Sequence, residues 1–204
     1  MHKSKIYLIT FVWLFLLLLW QPLFAQADST FKKGDVFNAL LPVNAALPKG
    51  QRLNLAVTTP KDFCPIESLS DYMKAQMRQT EWIPCGEKDP YKWSQIVTLH
   101  SFLNNRVSAK TFVIELRESI LMQGSDAQVL FEEHVQEKDH AFSTVVIVYT
   151  HNKRREIVYC VYFSGPYDIA GVQYAIHLTQ EISPQIAQKQ IMEFMRNNVK
   201  LIKF

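Results

Sequence analysis

The feature that most restricts this chain is a series of four strand-like runs, 127–135, 142–150, 156–163 and 172–180, joined by short links. The links are the charged segment Gln136–His140, then His151-Asn152-Lys153-Arg154-Arg155, then Ser164–Gly171 with Gly165, Pro166, Asp168 and Gly171. A parallel crossover needs a dozen or more residues, so these strands are antiparallel neighbours in a meander. The two middle runs, Val145–Tyr149 and Ile157–Phe163, are apolar at nearly every position. A strand covered on one face alternates, and one covered on both faces reads apolar throughout. The expected sheet therefore carries a layer above and a layer below.

Two amphipathic segments can supply those layers. Ser108 is placed as an N-cap, and Ala109, Phe112, Val113, Leu116 and Ile120 follow at helical spacing, with Gly124 expected to end the helix as a C′ residue. Ser183 and Pro184 start a second helix whose inner stripe is Ala187, Ile191, Phe194 and Met195. Upstream, Leu53–Thr58 reads as a strand and Ser68–Arg78 as a short helix. Trp93–Leu103 reads as a strand with Trp93, Val97, Leu99 and Leu103 on one face and Ile96, His100 and Phe102 on the other. The expected class is α+β, an antiparallel sheet flanked by helices on both faces.

The amino terminus reads as an export signal. His2, Lys3 and Lys5 precede an uncharged run from Ile6 to Trp20, followed by Gln21, Pro22 and Ala25-Gln26-Ala27. That order is the one a secretory signal peptide takes, with cleavage expected after Ala27 and Ala25 as the alternative site. An uncleaved anchor would have to include Gln21 and Pro22 to reach spanning length. Residues 1–27 are thus assigned as signal peptide, 28–52 as an extended lead-in, and 53–204 as one α+β domain. Losing Lys3 and Lys5 with the signal lowers the formal net charge from +3 to +1. That balance argues against nucleic acid as a partner, and the membrane is met only in transit through the signal peptide. With 6 Gly, 9 Pro and 20% charged residues, the chain is neither collagen-like nor wholly disordered.

Export places the three cysteines in an oxidising compartment. Cys64 and Cys85 both lie in proline-bearing, loop-like sequence, and Cys160 lies in an apolar run where it reads as a small buried hydrophobe. Of the three possible single pairings, Cys64–Cys85 is the expected one.

The strand entry Trp93-Ser94-Gln95-Ile96-Val97-Thr98 and the late strand segment Gly171-Val172-Gln173-Tyr174-Ala175-Ile176, with the order of elements, resemble the Mog/PsbP-like α/β/α sandwich over about residues 53–200. Small exported bacterial proteins of unknown function look similar. The resemblance implies a non-enzymatic module that binds or assists a larger protein assembly, with no shared catalytic residues. The chain departs from the lipoproteins of that group in having no cysteine near the cleavage site.

Several constellations carry residue types suited to chemistry. Glu132, His134 and His140 flank a turn and read as a solvated edge, so no metal and no cofactor is expected. His100 and His177 sit mid-strand among apolar residues, where a packed histidine is the ordinary outcome and a general base the alternative. Lys153, Arg154 and Arg155 form a basic tip suited to anionic contacts, or to keeping a turn soluble. Trp82, Tyr91 and Trp93 bracket a charged loop that the expected disulfide would pin, a combination suited to a partner surface. The expected function is an exported non-enzymatic binding or accessory module in the periplasm or outside the cell, its partner another exported or envelope protein. The alternative is a small exported hydrolase using His100 or His177 as base. A third possibility is a structural accessory to an envelope assembly.

Overall fold

The computed structural model describes residues 36–38, 53–58, 60, 62–66, 77–87, 89, 92–103, 107–136, 141–165 and 167–203, all within one unit, Lys32–Phe204. Residues 1–27, expected to be a signal peptide, and Tyr91 and His140 lie outside the described residues. Two sheets are present. Strands β1 (Val36–Asn38), β2 (Leu53–Thr58) and β10 (Val199–Lys203) form a small one in the order β1-β2-β10. The large sheet has seven strands: β3 (Phe63–Pro65), β4 (Met77–Pro84), β5 (Gln95–Leu103), β6 (Ser125–Gln136), β7 (Ala141–His151), β8 (Arg154–Ser164) and β9 (Asp168–His177). Their order is β3-β4-β5-β9-β8-β7-β6, antiparallel throughout.

The helix after β5, α1 (Ala109–Gln123), carries the chain to the far edge of the sheet. The meander β6 to β9 then returns strand by strand until β9 pairs with β5. The Ser108 hydroxyl caps α1 by accepting from the Thr111 amide at 3.1 Å. The second helix, α2 (Pro184–Asn198), is capped by Ser183, and its four buried residues are Ala187, Ile191, Phe194 and Met195. Those are the residues the helical spacing selects.

The two-sided burial implied by the apolar middle strands is present. Val145, Ile147, Val158, Cys160 and Tyr162 pack with Ala109 and Val113 of α1. Val146, Val148, Ile157 and Val161 pack with Ala187, Ile191 and Phe194 of α2, and Leu55 and Val57 of the small sheet join them. Adjacent residues of β7 and β8 thus serve opposite cores, as a period of two requires.

Some local assignments differ. Met77 and Arg78, expected to end a helix, are strand; the preceding residues 68–76 lie outside the description. β9 begins at Asp168, because Gly165 N–H closes a tight turn onto the Asp168 carbonyl at 2.9 Å. Gly171, expected in that turn, is mid-strand. Gly124 ends α1 as expected, its N–H donating to the Ile120 carbonyl, but in an extended conformation with φ −92°; the left-handed residue there is Asp126, with φ 51°. Glycine is needed at 124 for space: a Cβ there would lie 2.9 Å from Tyr149 Cβ. Trp93 lies before β5 and packs with Ile96 and Phe102 on the α1 side, not with Val97 and Leu99. The chain also ends in a strand, β10, paired with β2.

Candidate functional site

The residues singled out from sequence separate into a core group and a surface group. Trp82 belongs to the core: it is 1% exposed and packs with Val97, Leu99 and Tyr174. Cys64 and Cys85 form the expected disulfide, with Cα atoms 4.8 Å apart, tying β3 to the end of β4. Cys160 is a free, buried thiol, and burial pushes its pKa up to about 12.

Beyond the disulfide, the loop is held by its own polar groups. Both Glu87 carboxylate oxygens accept from the Ser94 amide, at 3.0 and 2.9 Å. Lys92 N–H donates to the Asp89 carbonyl at 3.0 Å, and the two side chains form an ion pair at 3.4 Å. These bonds set Trp93 at the entrance to β5, half-buried.

Trp93 meets the basic hairpin tip there. The Arg154 guanidinium lies over the indole, 4.9 Å from its centroid, and donates to the Trp93 carbonyl. Arg154 also pairs with Glu156 at 3.5 Å. The other Glu156 oxygen accepts from the Tyr149 hydroxyl at 3.0 Å. Burial first, and then the Glu156 charge, push the Tyr149 phenol well above its ordinary range. The tip itself is a two-residue turn, Asn152-Lys153, at φ 49° and 65°, between the paired residues His151 and Arg154. Both angles match the left-handed pair that a tight hairpin of this hand demands. Lys153 is exposed beside Arg154, whereas Arg155, also exposed, turns to the α2 side and lines a groove with Pro184 and Gln188. Exposed Lys92 adds a further cation on the loop. Two sequence segments singled out separately, the Trp-bracketed loop and the basic tip, therefore form one surface.

The histidines of the hydrolase alternative are engaged elsewhere. His100 Nδ1 stands 2.6 Å from the Tyr162 hydroxyl, which accepts from Gln173 Nε2 at 2.6 Å. With Gln173 donating, the Tyr162 proton goes to Nδ1 and the imidazole keeps its own proton on Nε2. Burial lowers the His100 pKa to about 4, so the ring is neutral at pH 7. Beside it on β4, the Glu81 carboxyl is raised by burial, against hydrogen bonds from Gln79 and Thr98. This is a packed polar chain on the α1 side of the sheet, and sequence spacing alone gave no sign of it. His177 donates from Nδ1 to the Arg155 carbonyl at 3.1 Å. Its register partner, Glu156, is already occupied by Tyr149 and Arg154. Glu132 and His134 pair at 3.0 Å, and Glu132 also takes Arg117 of α1 at 2.5 Å. Among the described residues no cluster of three His, Cys, Asp or Glu is placed to hold a metal ion.

No protein-family model matches the chain, and no curated protein does. Among solved structures it is similar to the Ran-binding protein Mog1p of Saccharomyces cerevisiae, at 11% identity and a TM-score of 0.48, covering 83% of this chain and 97% of that one. It is similar to cyanobacterial PsbP from Synechocystis, at 6% identity and a TM-score of 0.47, covering 89% and 100%. A protein of unknown function from Pseudomonas aeruginosa, PA94, matches at 15% identity and a TM-score of 0.36, over 60% and 84%. The likeness is one of fold, an antiparallel sheet between helices, and carries no argument about activity.

Proposed function

We propose that this protein is an exported, non-enzymatic binding module that docks another exported or envelope protein through the surface formed by Trp93 and the Lys153–Arg155 hairpin tip. The observation that carries this reading is the convergence of Trp93 and Arg154, 61 residues apart in sequence, into one stacked pair. Beside that pair, Lys153 and Lys92 are exposed cations, Lys92 shared with Asp89. A half-buried aromatic anchor beside exposed cations fits an acidic surface on the partner. The Cys64–Cys85 bridge supports an oxidising compartment, and the leader-like amino terminus supports export.

The test is site-specific photo-crosslinking in the native host, with the crosslinking residue at position 153 and, as control, at exposed Ile186 on the outer side of α2. A discrete adduct from position 153 that disappears in Lys92→Glu is the expected result. Absence of any tip-dependent adduct, combined with ester-hydrolysing activity that His100→Gln abolishes, would replace this reading with the hydrolase.

A further inference from the structure

The large sheet ends at β6, twelve residues long, and among the described residues no strand pairs with its outer side. Register shifts between Ser125 and Gln128 and between Val129 and Phe131 break its ladder with β7, leaving Phe131–Gln136 as the regular stretch. Bulges and charges are the usual protection of an edge. Here the bulges stop short of a segment with a regular register that shows exposed apolar surface at its start: Leu130 is 37% exposed and Phe131 42%.

The two faces of that stretch differ. On the α1 side, Glu132 and His134 are bonded to each other and to Arg117. On the α2 side stand Phe131, Glu133 and Val135, opposite Val146, Thr144 and Phe142 in register. Glu133 is exposed, and among the described residues no cation pairs with it. The α2-side pattern is therefore apolar, acidic, apolar, beside an open backbone edge.

We propose that the Phe131–Val135 edge of β6 accepts an extended segment of a partner protein as an eighth antiparallel strand, with apolar, basic and apolar residues alternating on the α2 side. Backbone hydrogen bonds supply affinity in such strand addition, and alternate side chains supply selectivity. Opposite charges facing each other across strands stabilise the pair, and like charges oppose it. The same rule disfavours a second copy of this chain, because β6 carries Asp126, Glu132 and Glu133 and no lysine or arginine. Past Phe131 the segment would reach a groove of about 420 Å³ between β6 and α2, lined by Leu130, Val148 and Pro184 together with Gln128, Arg155 and Gln188.

The groove borders the hairpin tip at Arg155, but the Phe131–Val135 edge does not include the tip, and the test reads that edge alone. The probe is the capped heptapeptide Thr-Val-Thr-Lys-Thr-Val-Thr, titrated to millimolar concentration against the folded protein, with amide shifts and exchange followed by NMR. Shifts and slowed exchange confined to 131–136 are expected, and binding about fivefold tighter than that of the same peptide with Glu in place of Lys. Glu133→Lys, an exposed substitution, should reverse the preference, whereas Lys153→Glu should leave it unchanged. Equal binding of the two peptides, shifts mapping elsewhere, no binding, or dimerisation of the free protein through β6 in sedimentation would each overturn the proposal.

Discussion

The Tyr162 hydroxyl lies 2.6 Å from His100 Nδ1, although β9 runs between their strands. The residue of β9 opposite both is Gly171. Having no side chain, Gly171 lets the Tyr162 ring lie flat across the strand to reach the imidazole, with Phe112 of α1 packed against the ring at 4.5 Å between centroids. One glycine thus joins a buried phenol on β8 to a histidine two strands away.

Gly171→Ala should therefore be strongly destabilising. The added Cβ would lie 2.2 Å from Tyr162 Cδ1 and 2.5 Å from Cε1, and the fully buried ring has nowhere to retreat. Overpacking of this kind costs about 3 kcal/mol. Denaturant unfolding should show a lower midpoint at unchanged slope. In a Tyr162→Ala background the same substitution should cost much less, because the colliding ring is gone. Equal costs in both backgrounds would show that the glycine serves some other need.

Burial of that histidine predicts a pH dependence. The His100 pKa falls from an ordinary 6.5 to about 4 on folding. Between those values the unfolded chain binds a proton that the native state refuses, so stability rises with pH across the interval. Stated in the other direction, stability contributed by neutral His100 is complete above 6.5 and is lost as pH falls towards 4. The full span is about 3 kcal/mol. Urea unfolding at half-unit pH steps, with His100→Gln as reference, isolates this from the carboxylates. Parallel stability curves for the two proteins would contradict it.

These two predictions concern features that sequence periodicity does not carry. The amphipathic stripes of α1 and α2 were legible because burial on one side of a helix imposes its spacing on the chain. The apolar runs at 145–149 and 157–163 were legible because burial on both faces removes alternation. Gly171 misled because a glycine beside Gly165 and Pro166 resembles turn chemistry, while its actual role is close approach by a distant ring. Trp82 misled in the same way: it lies near the end of β4, two residues before Pro84 and three before Cys85, yet faces the core. β10 was missed because Val199-Lys200-Leu201-Ile202-Lys203 continues α2 without a breaker, and only pairing with β2 makes it a strand. The Trp93–Arg154 stack depends on strand order, which no local pattern encodes.

The cysteines give a direct count. Cys160 is buried with its pKa raised to about 12, so it should resist alkylation in the folded protein. Iodoacetamide should add no label to native protein, one label after unfolding, and three after unfolding with reductant. Replacing Cys64 and Cys85 by serine should cost about 3 kcal/mol, the chain-entropy value for a loop of about 20 residues. Two or more labels on unfolded, unreduced protein would mean that the 64–85 bridge is absent.

The hairpin tip offers a test in which stability and binding move apart. Lys153 is held at φ 65° and Asn152 at 49°. Asparagine tolerates that region, whereas lysine does so at a cost of about 1 kcal/mol, which glycine removes. Lys153→Gly should therefore raise the melting temperature by about 3 °C for a chain of this size. It should also weaken docking, since it deletes a cation next to the Trp93–Arg154 pair. Lys153→Asn separates the two effects, relieving part of the strain and also deleting the charge. If the tip is the contact surface, both variants should be more stable and should reduce, to similar extents, the adduct captured by a crosslinker moved to position 92. Stabilisation with undiminished capture would make the lysine a feature of turn solubility and place the partner's contact elsewhere.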